Sequence, residues 1–223
     1  MQTTRDSIAA DRRLRISEQF SSLQGEALSA GYPTLFIRLT GCPLRCQYCD
    51  TEYAFHGGQW FSIDELLTAA TASGNRHVCV TGGEPLVQAN CITLLRELCD
   101  AGFHVSLETS GAMSIAEVDA RVSRVLDLKT PGSGELDKND WDNLDLLTSH
   151  DQIKFVLCDR TDYDWALDIL NKNRLASLCP VFFSPSYHQL AVNDLAQWMI
   201  DDKPEARLQM QLHKTLWGEK QGV

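Results

Sequence analysis

The chain has 223 residues, 43% hydrophobic and 22% charged, a composition that excludes wholesale disorder. Its 20 Lys and Arg against 30 Asp and Glu leave a net charge of −10, a field that repels polyanions and argues against a nucleic-acid binder. The longest apolar runs, such as 178–183, are too short to span a bilayer, and the opening MQTTRDSIAADRRLRI lacks the apolar stretch of a secretory signal, so a soluble, cytoplasmic protein without membrane contact is expected.

Residues 1–13 are polar and expected to be flexible, and 14–223 to form a single domain. LRISEQF (14–20) suits a short strand, and TLFIRLT (34–40) a strand rich in β-branched and apolar residues. Gly41 and Pro43 then break the chain into a loop that holds Cys42, Cys46 and Cys49. Ser62, Asp64 and Glu65 put a cap and two acids at the start of a helix, SIDELLTAATA. From there strands alternate with helices. Strands are expected at 77–82, 104–108, 124–129, 152–157, 179–184 and 207–212. Helices are expected at 86–101 (ended by Gly102), 114–122, 140–148, 163–171 and 190–200. Such alternation gives βαβ units and a parallel sheet, as an open doubly wound sheet or an incomplete (β/α) barrel. In both, chemistry gathers at the carboxyl ends of the strands.

Five of those ends carry small, glycine-rich or charged residues. Residues 34–40 run into the cysteines, and 77–80 into Thr81-Gly82-Gly83-Glu84-Pro85. Residues 104–107 run into Glu108-Thr109-Ser110-Gly111, 124–128 into Lys129-Thr130-Pro131-Gly132, and 179–183 into Ser184-Pro185. Each alone is ordinary turn chemistry; the five together suit a ligand site shared on one face.

Eight cysteines in a reducing compartment are more often core residues, metal ligands or catalysts than disulfides. Cys79, Cys91, Cys99, Cys158 and Cys179 are scattered among apolar or helical neighbours and read as small buried hydrophobes. Cys42, Cys46 and Cys49 stand apart in GCPLRCQYCDT, spaced C-x3-C-x2-C. A structural zinc takes four ligands, usually as separated pairs, and here His56 could supply a fourth. An iron–sulfur cubane on three thiolates instead leaves one iron open to a substrate or cofactor. Tyr48 adds an aromatic next to the last cysteine.

This spacing, its aromatic and the GGEP after a later strand resemble the radical S-adenosylmethionine superfamily. The resemblance implies that the open iron chelates S-adenosylmethionine, that one electron from the reduced cluster cleaves the sulfonium, and that a 5′-deoxyadenosyl radical takes a hydrogen from the substrate. SLQGE, FIRLTGC, CDT, TGGEP, ETSG and, near the C-terminus, QLHK are together similar to the 7-carboxy-7-deazaguanine synthase family, over about residues 14–216. The implied fold is α/β, an incomplete, modified (β/α) barrel, in a homodimer. The implied activity is a lyase of queuosine biosynthesis, which contracts 6-carboxy-5,6,7,8-tetrahydropterin to 7-carboxy-7-deazaguanine with loss of ammonia. Its cofactors would be a 4Fe–4S cluster, S-adenosylmethionine and Mg2+, with an electron donor such as flavodoxin or ferredoxin.

Carried onto these residues, the resemblance implies cluster ligation by Cys42, Cys46 and Cys49 and magnesium at Thr51. Leu23, Gln24, Gly25, Arg38 and Thr81 would contact substrate, and His213 would close its pocket. Gly83, Glu84, Ser110, Asp127, Leu128, Lys129 and Ser184 would line S-adenosylmethionine. The chemistry agrees: Arg38 sets positive charge against an anion, and Gln24 and Glu26 match an amide and amino edge. Thr51 offers magnesium a single oxygen, so substrate and water must supply the rest. Taken singly, Arg38 is an ordinary salt-bridge partner, Thr51 a turn cap and His213 a core histidine. Two other functions share part of the pattern. A glycyl-radical activase would use the cysteines and GGEP without SLQGE or Arg38, and a non-enzymatic metal-bound module would need only the thiolates. One departure stands out: the family's QGEG reads Gln24-Gly25-Glu26-Ala27 here, and Ala27 takes positive φ only at a cost, so a locally different loop is expected. Residues 52–61 and the tail after Trp217 carry no assignment.

Overall fold

The computed structural model describes residues 12–220 and 222. Most of the segment expected to be flexible, 1–11, lies outside the described residues. Arg12 pairs with Glu97 at 2.6 Å, and Arg13 opens the first strand.

Among the described residues the strands are β1 (Arg13–Leu23), β2 (Pro33–Leu39), β3 (Gln59–Ser62), β4 (His77–Gly82), β5 (His104–Thr109), β6 (Ser123–Asp127), β7 (Gln152–Leu157), β8 (Val181–Pro185) and β9 (Arg207–Leu208). They form one sheet in the order β3-β1-β2-β4-β5-β6-β7-β8-β9. β1 runs antiparallel to both its neighbours, and every pair from β2 to β9 is parallel. β3 and β9 remain separate edges, so the barrel is incomplete, as expected.

The helices are α1 (Ile63–Ser73), α2 (Asn90–Asp100), α3 (Arg160–Lys172), α4 (Val192–Asp202) and α5 (Leu212–Trp217). Local sequence sets α1: Ser62 and Glu65 form a reciprocal capping box, and Gly74 ends the helix at φ 70°. Its Ile63 and Leu66 join Leu94, Leu95, Tyr163 and Leu195 in one core with Leu35, Ile37, Val80, Leu107, Phe155 and Phe183 of the strands. Alternate strand residues turn the other way, because side chains switch faces at each step. Phe36, Arg38, Thr81, Glu108, Lys154 and Ser184 thereby line a central cavity.

Several elements depart from expectation. Residues 114–122 form turns and no helix, although Ile115, Val118 and Val122 are buried. The segment is too short to hold a helix unaided, and Asn143 takes the Ile115 N–H at 3.0 Å. Residues 140–148 yield a 3-10 turn (Trp141–Leu146), with Asp140 capping Asp142 and Asn143 donating to the Gly111 and Met113 carbonyls. The expected helix at 86–101 begins at Asn90, after a 3-10 turn (Pro85–Val87) that Glu84 caps. β3 arises inside the unassigned 52–61 and pairs with β1.

The strand expected at 207–212 stops at Leu208, because the next residues bond to the loop after β1 instead. Ala27 N donates to Gln209 Oε1 at 2.6 Å, Leu28 N to Gln152 Oε1 at 2.7 Å and Leu212 N to Gly25 O at 3.0 Å. The loop after β1 thus bridges to β7 and to the segment beyond β9. Contrary to expectation, Ala27 does adopt the left-handed conformation, at φ 65°. The strain, about 1–2 kcal/mol, is borne where the Gln209 bond fixes the backbone. Among the described residues no helix is long and apolar enough to cross a membrane.

Candidate active site

The cavity, about 270 Å³, opens at the carboxyl ends of the parallel strands. Beyond β2 the cysteine loop is pinned from both sides. Gly83 N donates to Leu39 O at 3.3 Å, Glu84 N to Gly41 O at 2.8 Å, Gly41 N to Ala54 O at 2.8 Å and Gln47 N to Ser133 O at 3.0 Å. The loop turns Cys42, Cys46 and Cys49 onto the cavity, all half-buried and free. Burial pushes their thiols up, so a metal would have to displace the protons on binding. A Cβ on Gly83 would collide with Gly41 O and the Cys42 side chain, so only glycine lets these two loops touch.

Two residues expected to line a cofactor do not reach the cavity. Glu84 is 0% exposed. Its carboxylate accepts from Leu86 N at 3.0 Å, Thr109 Oγ1 at 3.0 Å, Ser110 N at 2.7 Å and Ser110 Oγ. It braces the end of β5, and Ser110 is what meets the cavity. Leu128 belongs to the core, since its neighbours Asp127 and Lys129 take the inward positions. Those two pair at 3.0 Å; burial opposes the Lys129 charge, but Asp127 holds its pKa above the ordinary value. Asp127 Oδ1 and Tyr48 OH are buried without a hydrogen-bond partner among the described residues. Buried Ser184 lines the same side.

The opposite wall comes from β1, β2 and α5. Gln24 Oε1 accepts from Gly25 N at 2.9 Å and Glu26 N at 3.3 Å, while its buried Nε2 has no hydrogen-bond partner among the described residues. Phe20 and Phe36 stack at 5.0 Å and 7°, forming a flat apolar surface. Arg38 Nε pairs with Glu18 at 2.7 Å, and no bond to its Nη atoms is found among the described residues. It is therefore both a salt-bridge partner and a cation on the cavity. His213 packs over Gly25, where a Cβ would strike its ring, and burial lowers its pKa towards a neutral imidazole. Leu23, Gly25, Glu26 and Thr81 also line the cavity. At the rim, Thr51 Oγ1 donates to Asp50 Oδ1 at 2.8 Å.

Sequence reasoning missed Lys154 and gave Glu108 no role beyond its place at a strand end; both lie on the cavity. Lys154 Nζ lies 2.7 Å from Glu26 Oε2 and 3.7 Å from Glu108 Oε2. The available signal was a charge at an inward position of an otherwise apolar parallel strand, as in QIKFVL and HVSLE.

Residues 36–178 match the family model of the Radical SAM superfamily. The chain is 39% identical over 213 residues to a 7-carboxy-7-deazaguanine synthase of Chlorobaculum tepidum, a match covering 94% of this chain and 97% of that one. It is 39% identical over 227 residues to one of Koribacter versatilis, covering 94% and 100%. In fold it resembles the crystal structure of QueE from Escherichia coli, with a TM-score of 0.74 over 90% of this chain and 95% of that one at 24% identity.

Proposed function

The chain belongs to the radical SAM superfamily and, within it, to the 7-carboxy-7-deazaguanine synthases, and from that membership we propose how its cavity works. The reaction is radical ring contraction of 6-carboxy-5,6,7,8-tetrahydropterin to 7-carboxy-7-deazaguanine with release of ammonia, a lyase step of queuosine biosynthesis.

The residues fit the groups this chemistry needs. Three free thiols on one loop suit a 4Fe–4S cluster with one open iron, and the orphaned Asp127 Oδ1 and Tyr48 OH beside them suit a polar cofactor. Bound cluster and S-adenosylmethionine supply one-electron cleavage of a sulfonium and hydrogen abstraction. Cys42, Cys46 and Cys49 hold the cluster. Gly83, Ser110, Asp127, Lys129 and Ser184 hold the cofactor, with Glu84 fixing Ser110 from beneath.

The pterin lies against Phe20 and Phe36. Gln24 Nε2 donates to its ring, Arg38 meets its carboxylate, and Thr81 and Leu23 complete the wall. Neutral His213 covers Gly25 and keeps water out. Thr51 would hold magnesium only weakly through its one neutral oxygen, so the substrate carboxylate and water would have to supply the other ligands. A one-electron donor such as flavodoxin or ferredoxin follows from a reaction that consumes an electron to begin. The homodimer is supported by exposed Ile200, Leu216 and Trp217, and a cytoplasmic setting by eight free cysteines.

The observation that carries this reading is one cavity joining three free cysteines to the unpartnered Gln24 amide and Arg38. The test is anaerobic reconstitution with iron and sulfide, followed by S-adenosylmethionine, reductant and the carboxylated pterin. The expected product has the mass of 7-carboxy-7-deazaguanine and appears with equimolar ammonia. Cofactor cleavage without that product, or stoichiometric zinc in place of iron, would overturn the reading.

A further inference from the structure

Lys154 stands where the two walls of the cavity meet. Its Nζ lies 2.7 Å from Glu26 Oε2 on the loop after β1, 3.7 Å from Glu108 Oε2 on β5 and 3.7 Å from Asp127 Oδ2 on β6. The side chain is 9% exposed, so little water shares its charge. One cation thus serves three carboxylates from three elements, and no role in the reaction has yet been given to it.

We propose that Lys154 is a positioning residue for the ring contraction: its ammonium keeps Glu26 ionised and aimed at the substrate's amino edge, and ties that wall to the cofactor side through Asp127. The proposal rests on the substrate reading above. The other hydrogen-bond partners of Glu26 among the described residues are neutral, Gln211 Nε2 at 2.9 Å and Gln209 Nε2 at 3.4 Å. Burial would push its carboxyl up, but Lys154 brings it below the ordinary value. Glu108, farther from the same ammonium, stays raised by burial. Lys154 itself is held well above its ordinary value, because the three carboxylates outweigh burial. The cation therefore favours the ionised form more at Glu26 than at Glu108. An ionised carboxylate accepts on both oxygens, and so can take an N–H from an amino group while keeping Lys154. Besides Lys154, the titratable groups around Glu26 and Glu108 are Asp127, His213 and Arg38; Lys129 adds a second ammonium on Asp127.

The test measures pterin KM and kcat in reconstituted holoenzyme from about pH 6 to 9, each variant read relative to wild type. Lys154→Met is expected to raise KM about tenfold or more near neutrality, recovering as the pH climbs and Glu26 reionises. Its cluster absorbance and S-adenosylmethionine affinity should persist, since Asp127 keeps Lys129. Lys154→Arg retains the charge and should follow the wild-type pH profile. If Lys154→Met fails to fold, Glu26→Gln decides: a raised KM with no recovery at high pH supports the proposal, and a wild-type KM overturns it. An unchanged Lys154→Met profile also overturns it, as does a Lys154→Arg loss equal to that of Lys154→Met at every pH. Wild-type enzyme that leaves the pterin unconverted overturns the functional reading instead, and that arm is scored before any variant.

Discussion

Surroundings divide the eight cysteines into two chemistries. Cys79 and Cys179 are buried in the core with thiols pushed up to about 12, as small hydrophobes. Cys99 and Cys158 are only half-buried but lie off the cavity, unlike Cys42, Cys46 and Cys49. Replacing any of those three with Ala should abolish the roughly four irons per chain that a cubane brings, while Ala at Cys79, Cys91, Cys99, Cys158 or Cys179 should leave them. Iron and sulfide analysis reads this directly, and loss of iron at any of the five would break the division. Arg38 sits differently, since Glu18 holds its Nε and leaves the rest of the guanidinium towards the cavity. Arg38→Ala should raise pterin KM about tenfold to a hundredfold, the loss of one charge-assisted contact, and spare S-adenosylmethionine affinity. Equal losses for both ligands would make Arg38 structural. Gln24, Arg38 and the three cysteines were legible because short motifs carry them. Lys154 was not, and Glu108 was placed only as a strand-end charge, because one charge in an apolar strand announces its face only once the register is known. Glu84 was expected on the cofactor from the GGEP resemblance, and nothing local shows that Thr109 and Ser110 fold over its carboxylate.

Between elements, that Glu84 carboxylate is the main cross-brace, joining the loop after β4 to the end of β5. Glu84→Gln keeps the shape but replaces one acceptor oxygen with a donor, facing N–H and O–H groups that are themselves donors. The change should cost about 1–3 kcal/mol of stability, measured by denaturant titration, and weaken S-adenosylmethionine binding by freeing Ser110. Wild-type stability together with wild-type cofactor affinity would show that the brace is idle. The parallel strands themselves were readable, since being covered on both faces makes them near-continuous apolar runs. The elements that failed were those whose backbone bonds are taken by distant side chains. Residues 114–122 carry helical spacing, yet Asn143 captures the first N–H. The strand expected at 207–212 has alternating apolar residues, yet its glutamines serve the loop after β1. Both are tertiary choices that a local pattern does not encode.

Across the whole molecule, buried carboxylates such as Asp151 and Glu26 contribute to its response to acid, and one closure sets access to the cavity. Asp151 is 0% exposed and accepts from Arg124 Nε at 2.8 Å and Thr148 N at 2.8 Å, contacts that outweigh burial and hold its pKa low. Glu26 is lowered in the same sense by Lys154. A carboxyl lowered in the folded state lends stability that is complete above its unfolded pKa and fades as the pH falls through the folded one. Urea midpoints should therefore decline as the pH drops below about 4. A midpoint that holds steady down to about pH 3 would contradict this. The closure is set apart from the cluster by construction. Removing the chain from Gln211 onward deletes the Gln211 bond to Glu26, the Leu212 bond to Gly25 and the His213 cover. It also removes the Lys214–Asp50 pair at 3.8 Å beside Cys49, but it leaves the backbone bonds to Ala54, Ser133 and Gly83–Glu84 that pin the cysteine loop. The shortened protein should keep wild-type iron and bind S-adenosylmethionine, yet lose about a hundredfold or more in kcat/KM for the pterin, because small misplacements of a reacting centre are costly. Turnover within about threefold of wild type would show that the loop after β1 closes the barrel without α5. Loss of iron would show that the last helix supports the cluster as well as the lid.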